Sequence, residues 1–168
     1  MRWSEIDLDA AVWTVPGKRM KGGKLHRVPL PGAAVTLLRG IQPLQSGADA
    51  LVFPGARAGT AQSDMTLIAV LRRMNDVPSG ELPPWRDGAT GEPITVHGFR
   101  STFRVWAGEC TAYPREVVEA ALAHTLKDKV EAAYQRSDLM ERRRPLMEDW
   151  ASSCTAGDRG GVVVPIRA

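Results

Sequence analysis

Three observations place this chain in the α+β class, mainly helical with a small antiparallel β-hairpin. Two β-branched or apolar runs, at 11–15 and 25–30, are separated by Pro16-Gly17 and Gly22-Gly23, which is how two strands and a turn-rich tip are written. Beyond them, apolar residues recur at three- and four-residue spacing in several separate stretches, as amphipathic helices require. Near the C-terminus Val162-Val163-Val164-Pro165-Ile166 reads as an edge strand, because proline cannot donate to a ladder.

The elements follow in order. Residues 1–9 carry Trp3, Ile6 and Leu8, side chains that pack against something. The hairpin tip then holds Lys18, Arg19, Lys21, Lys24 and Arg27 with no acidic residue between them. Five cations on a glycine-flanked hairpin make a positive field suited to phosphate; they also describe a solvated strand edge guarded by charge. Pro31, then Val35, Leu37 and Leu38, then Gly40 predict a short helix over 31–39. After a brief apolar stop at 51–55, Ser63 or Asp64 caps a helix through Met65, Ile68, Ala69, Leu71 and Met74. Residues 75–93 are rich in Pro and Gly and form a long connection, a length associated with function or mobility. Thr95 caps the next helix, over 95–109, with Phe99, Phe103 and Trp106 as its inward stripe. His97 and Arg100 share a face near its start, and Arg104 lies four residues on. A helix N-terminus with these cations is an anion site; an amphipathic helix with a solvated arginine is the plainer alternative. Pro114 opens a helix that turns Val117, Val118, Ala121 and Leu122 inward and delivers the chain to His124. Ser137 and Glu141 flank the start of a last helix, reaching about Ser153 with Met140, Met147 and Trp150 apolar. Residues 156–161 are a flexible joint before the tail strand, which is free to pair in cis or with a neighbour.

Bulk properties exclude several classes. The 168 residues make one domain, or one domain with a tail. Hydrophobic residues at 43% and charged residues at 24% are ordinary for a globular protein. No apolar run approaches the roughly 20 residues of a membrane span, and the N-terminus has no apolar signal segment. Cys110 and Cys154 have no metal-ligand spacing and form no disulfide framework, so a reducing cytoplasm is the expected compartment. The net charge of +3 does not by itself argue for nucleic acid; its clustering on the hairpin says more.

One stretch gathers several reactive residue types. Residues 121–138 hold His124, two lysines and Tyr134, one of two tyrosines in the chain. Ala132 and Ala133 leave room around the Tyr134 ring, and Arg136 follows it. Taken alone, the stretch reads first as a core tyrosine on a short helix beside a satisfied histidine. A reactive tyrosine needs partners from elsewhere in the chain.

Those partners form an ordered set. Lys21 on the hairpin, His97-Gly98-Phe99-Arg100, Leu122-Ala123-His124 and Ala132-Ala133-Tyr134-Gln135-Arg136 follow one another. In that order and with those neighbours, nearly the whole sequence resembles the catalytic domain of the tyrosine recombinases, in the branch of the prophage-type integrases. The resemblance implies that fold over 1–155, with 156–168 as joint and tail strand. It implies site-specific DNA cleavage and rejoining through a 3′-phosphotyrosine, with Tyr134 as nucleophile. Arg100, His97 and His124 are implied to hold the phosphate oxygens, and Lys21, with Lys24 as a rival, to protonate the leaving 5′ oxygen. Glu119 matches an acidic position that supports the site. Lys18, Arg19, Lys24, Arg27 and Arg104 are the implied DNA contacts. Double-stranded DNA is the implied partner and a homo-tetramer on DNA the implied assembly, nucleoid-associated, with no cofactor, metal or membrane involved.

The chemistry needs these residue types. A tyrosine of pKa near 10 is phenolate only about one part in a thousand at neutral pH, so it must be aimed and must lose its proton during attack. The pentavalent transition state puts negative charge on phosphate oxygens, where one lost donor typically costs about 10²–10³ in rate. Protonating the leaving oxygen is worth about 10²–10⁴. Rejoining uses the energy kept in the covalent link, so no nucleotide is required.

One family feature has no counterpart here. The family carries a further catalytic arginine on a helix before the first hairpin strand, and Arg2, beside Trp3, does not match it. The expectation is therefore an N-terminally truncated copy that alone binds DNA weakly and recombines it poorly or not at all. A non-catalytic DNA-binding remnant, a relaxing topoisomerase of type IB chemistry, and an unrelated α+β domain with decorative cations are the alternatives.

Overall fold

The computed structural model describes residues 1–57, 59–75, 85–87, 90–124 and 137–156. Strands β1 (Ile6–Asp7), β2 (Val12–Val15) and β3 (His26–Pro29) form one antiparallel sheet in the order β1-β2-β3. The predicted hairpin is β2–β3, with Trp13 opposite Val28 and Val15 opposite His26. Strand β1 was not foreseen, because two residues are too few to show alternation. It exists because the carboxylate of Asp7 accepts the backbone N–H groups of Asp9 and Ala10 at 3.0 and 2.7 Å and turns the chain back onto β2. At the hairpin tip, Gly17 lies against the carbonyl of Gly23, so close that a Cβ on Gly17 would collide with that oxygen.

Five helices complete the described residues: α1 (Gly32–Ile41), α2 (Met65–Asn75), α3 (Val96–Glu109), α4 (Arg115–Ala121) and α5 (Met140–Thr155). Their starts follow the sequence signals. Pro31 and Pro114 stand at the N-caps of α1 and α4. The Thr95 hydroxyl accepts from the Gly98 N–H at 3.0 Å at the start of α3. Helix α1 overruns the predicted stop at Gly40, and a 3₁₀ turn over Gln42–Leu44 ends it. Gly40 is simply a helical residue here, and Pro43, which has no N–H to give, sits in that closing turn.

Two apolar clusters form the core. Trp3, Leu30, Leu38 and Val52, with Ile6, Leu8 and Trp13 against them, join the sheet to α1. Phe103, Ala107, Val117, Val118 and Leu146 join α3, α4 and α5, with Trp106 and Trp150 packed alongside. Phe103 and Trp150 meet edge to face at 5.4 Å. The inward stripe predicted for α3 is corrected at one position: Phe99 is 54% exposed. The core holds α3 from Phe103 onward, and Phe99, one turn earlier, lines an open cavity on its flank. Helix α2, despite its helical spacing, buries none of its residues.

Helix α5 touches β3, α1 and α4 and so spans both clusters. Glu148 on α5 accepts the N–H of Gly32 at 2.8 Å, placing a carboxylate at the start of α1, which has no acidic residue or side-chain cap of its own. Arg143, also on α5, is 1% exposed; a charged residue at that depth was not legible in the sequence. Tyr134, the tail strand at 162–166 and most of the predicted connection at 75–93 lie outside the described residues.

Candidate active site

An open cleft of about 770 Å³ lies between the hairpin tip and the ends of α3 and α4. Lys21, Lys24 and His26 line it from the hairpin, Arg100 from α3, His124 from the chain after α4, and Asp138 from the chain entering α5. Of the residues expected to work together, Lys21, Arg100 and His124 meet here, and Lys24 joins them.

His124 owes its position to how α4 ends. Ala123 takes a left-handed conformation (φ 53°). The N–H of Ala123 donates to the carbonyl of Ala120 at 3.1 Å, and the N–H of His124 donates to the carbonyl of Glu119 at 3.0 Å. These two bonds are a Schellman cap, which stops the helix and turns the next residue away from its axis. Leu122-Ala123-His124 is thus a helix stop that presents an imidazole. The Glu119 side chain holds the same imidazole: one carboxylate oxygen lies 2.5 Å from His124 Nδ1, and the other accepts from Arg104 Nε at 2.8 Å. Burial works to raise the Glu119 carboxyl. The hydrogen bonds and charges of His124 and Arg104 outweigh that and hold it below its ordinary range. An ionised carboxylate only accepts, so Nδ1 carries the proton in this pair and Nε2 is left for the cleft.

Arg100 donates to the carbonyl of Leu122 at 2.6 Å. The two α3 arginines, one turn apart, therefore both grip the end of α4, Arg100 by its backbone and Arg104 by Glu119. His97 is not among the cleft's lining residues; it is exposed and lines a separate cavity of about 710 Å³ with Ile94, Phe99 and Val105. Residues three apart on a helix sit about 60° apart around its axis, and the side of α3 facing α4 takes Arg100 and Arg104 and leaves His97 on the flank.

The expected DNA-contacting cations divide in two. Arg19 pairs with Glu5 and Arg104 with Glu119. Arg27 makes a two-pronged contact with Asp138, Nε to Oδ2 at 2.7 Å and a terminal nitrogen to Oδ1 at 2.9 Å. Among the described residues, Lys18 and Lys24 are exposed and form no ion pair, and the same holds for Lys21, the expected general acid. Asp138 is held below the usual carboxylate range, first by the Arg27 hydrogen bond and then by the Met140 N–H and the charges of Arg27 and Arg143, against its partial burial. Asp138 and Arg143 were missed as site neighbours because neither matches a motif; only the fold brings them beside His26. Among the described residues no group of three His, Cys, Asp or Glu could hold a metal ion, and no helix is long and apolar enough to cross a membrane.

The second tyrosine, Tyr113, donates its hydroxyl to Asp149 at 2.7 Å. That hydrogen bond, with burial and the Asp149 charge, pushes its phenol up to about 12. It packs on the Phe103 cluster and does not line the cleft.

Along its sequence the chain is similar to several integrases. The chain is 35% identical over 164 residues to prophage integrase IntA of Escherichia coli (strain K12), covering 97% of this chain and 36% of that protein. It is 32% identical over 152 residues to prophage integrase IntZ of the same strain, covering 90% of this chain and 34% of that one. The integrase of Enterobacteria phage P4 is 31% identical over 164 residues, 89% of this chain and 34% of that protein. No protein-family model and no solved structure matches the chain. The chain thus spans about a third of the length of these relatives, and along almost all of its own length the likeness is to prophage and phage integrases.

Proposed function

We propose that this chain carries the catalytic fold of a site-specific DNA recombinase that breaks and rejoins strands through a 3′-phosphotyrosine. The observation that carries the reading is the cleft in which Lys21, Lys24, Arg100 and His124 converge, with no carboxylate paired to either lysine among the described residues. A phosphodiester there meets Arg100 and His124 Nε2 at its non-bridging oxygens and a lysine at its leaving oxygen. Lys21 is the general acid, with Lys24 beside it. His97, on the flank, contacts the phosphate only if α3 rotates or the DNA reaches past Arg100. Tyr134 is the nucleophile. Tyr113 is unsuited to that role, because its phenol is committed to Asp149 and is harder to ionise than an ordinary tyrosine. Double-stranded DNA is the proposed partner and a tetramer on DNA the proposed working assembly. The reaction uses neither metal nor nucleotide.

No residue of this sequence matches the family's further arginine, and one missing phosphate donor costs about 10²–10³ in rate. The test is therefore a single-turnover trap with a nicked suicide duplex, in which the cleaved strand diffuses away and the covalent protein–DNA adduct accumulates. A slowly formed adduct is expected from the chain. Tyr134→Phe abolishes it, Tyr113→Phe leaves it, and Arg100→Ala lowers its rate about 10²–10³-fold. An adduct that survives Tyr134→Phe, or none at all under conditions where the duplex is bound, overturns the catalytic reading.

A further inference from the structure

The cation nearest the cleft on β3 is not free to meet DNA. Arg27 spends its planar fork on Asp138, with both prongs at hydrogen-bonding distance. Asp138 in turn accepts the Met140 N–H at 3.2 Å at the start of α5, and the buried Arg143 stands 3.7 Å from it. This cluster is where the lysine hairpin meets the chain entering α5, since β3 packs along α5. A carboxylate in the wall of an anion cleft repels phosphate, and pairing with Arg27 cancels that charge.

We propose that Arg27 and Asp138 form a clamp that fixes the hairpin over the cleft, so that Arg27 is a positioning residue for Lys21 and Lys24 and not a phosphate contact. Two-pronged arginine–carboxylate pairs within a network are the surface ion pairs that do contribute measurably. Lysine cannot reproduce the fork, so Arg27→Lys keeps the charge and loses the clamp. The choice of DNA as the ligand rests on the function proposed above; the clamp itself rests on the contacts.

Two measurements on the full chain separate these. In a thermal double-mutant cycle, Arg27→Gln and Arg27→Lys each lower Tm by about 2 °C, and Asp138→Asn adds little once Arg27 is replaced. Additive effects overturn the clamp. In a salt titration of binding to a short DNA duplex, Lys21→Gln and Lys24→Gln each lower the slope of log K against log salt by about 0.9. Arg27→Gln and Arg27→Lys keep the wild-type slope and weaken binding severalfold at every salt concentration, as displaced lysines would. If Arg27→Gln lowers the slope by about 0.9 while Arg27→Lys restores slope and affinity, Arg27 touches phosphate and the proposal fails. A wild-type chain that binds no duplex at all refutes the DNA reading, and the thermal cycle then decides the clamp alone.

Discussion

Ala123 shows how a single backbone angle can set a candidate site. The position after the cap of α4 is left-handed, a conformation that costs a residue with a Cβ about 1–2 kcal/mol and glycine little. Alanine is the smallest side chain that accepts this strain, and the strain aims His124 at the cleft. Ala123→Gly relieves it but frees the unfolded chain, so the net change is expected within about 1 kcal/mol of zero. Ala123→Val adds a β-branch where φ is positive and is expected to lose about 1–2 kcal/mol or more, with the His124 imidazole displaced from Glu119. Chemical denaturation gives the stabilities, and the ¹⁵N shifts of the His124 ring report whether Nδ1 still carries the proton. An unchanged Val variant would remove the cap from the account of the site. Of these details, the sequence displayed only the tripeptide. Resemblance marked Glu119 only as an acidic position that supports the site; its grip on His124 was not legible, because an i, i+5 pair across a left-handed residue follows no helical spacing rule.

At the scale of elements, the hairpin is the most legible and the most easily broken part. Its two strands and its glycine-marked tip were written in β-branched and apolar runs and turn residues, and the fold pairs those runs as β2 and β3. The Gly17–Gly23 contact was not legible, because Gly22 and Gly23 signal a turn without saying which part of the tip they touch. Gly17→Ala forces backbone against backbone, and it is expected to cost more than the roughly 0.5–1 kcal/mol that a compatible Gly→Ala exchange gains. Lys21 and Lys24 sit on the part that must move, so the salt slope of DNA binding is expected to fall with it. A Gly17→Ala chain with unchanged slope and stability would place the tip elsewhere. Helix positions were read correctly where caps and prolines wrote them, at Pro31, Thr95 and Pro114. They were misread where a local rule met tertiary packing. Gly40 did not stop α1, and Phe99 kept the right spacing but stands a turn ahead of the core it was expected to enter. Arg143 was invisible for the opposite reason: a charged residue in Arg142-Arg143-Arg144 reads as solvent-facing until α5 is seen wedged between two clusters.

For the whole molecule, carboxylates act as ties between elements. Glu5 holds Arg19 of the hairpin tip, Asp138 joins β3 to α5, and Glu119 joins α3 to the end of α4. All three have carboxyls held below their ordinary values of 4.5, 3.8 and 4.5, in each case by arginine partners or hydrogen bonds that outweigh burial. Each binds its proton less tightly when folded, so its stabilising contribution is complete above those unfolded values. That contribution is lost as pH falls through the lower folded ones. Thermal denaturation between neutral pH and about pH 3 is expected to show a loss of stability that begins below about pH 4.5 and to be shallower in Glu119→Gln. Loss that begins on the alkaline side instead would contradict the assignment. The two-cluster arrangement itself was not foreseen, since apolar periodicity tells which face of a helix is buried and not which other helix covers it.

The unpaired lysines of the hairpin have a consequence for chemical labelling. The chain's lysines are Lys18, Lys21, Lys24, Lys127 and Lys129, and its remaining basic residues are arginines and three histidines. The three on the hairpin are exposed and have no ion-pair partner among the described residues, whereas several arginines are tied to carboxylates. An acylating reagent selective for primary amines therefore reaches Lys21 and Lys24 at the cleft and leaves the arginine ties intact, so that the extent of labelling at these two lysines, read residue by residue, doubles as a footprint of whatever occupies the cleft.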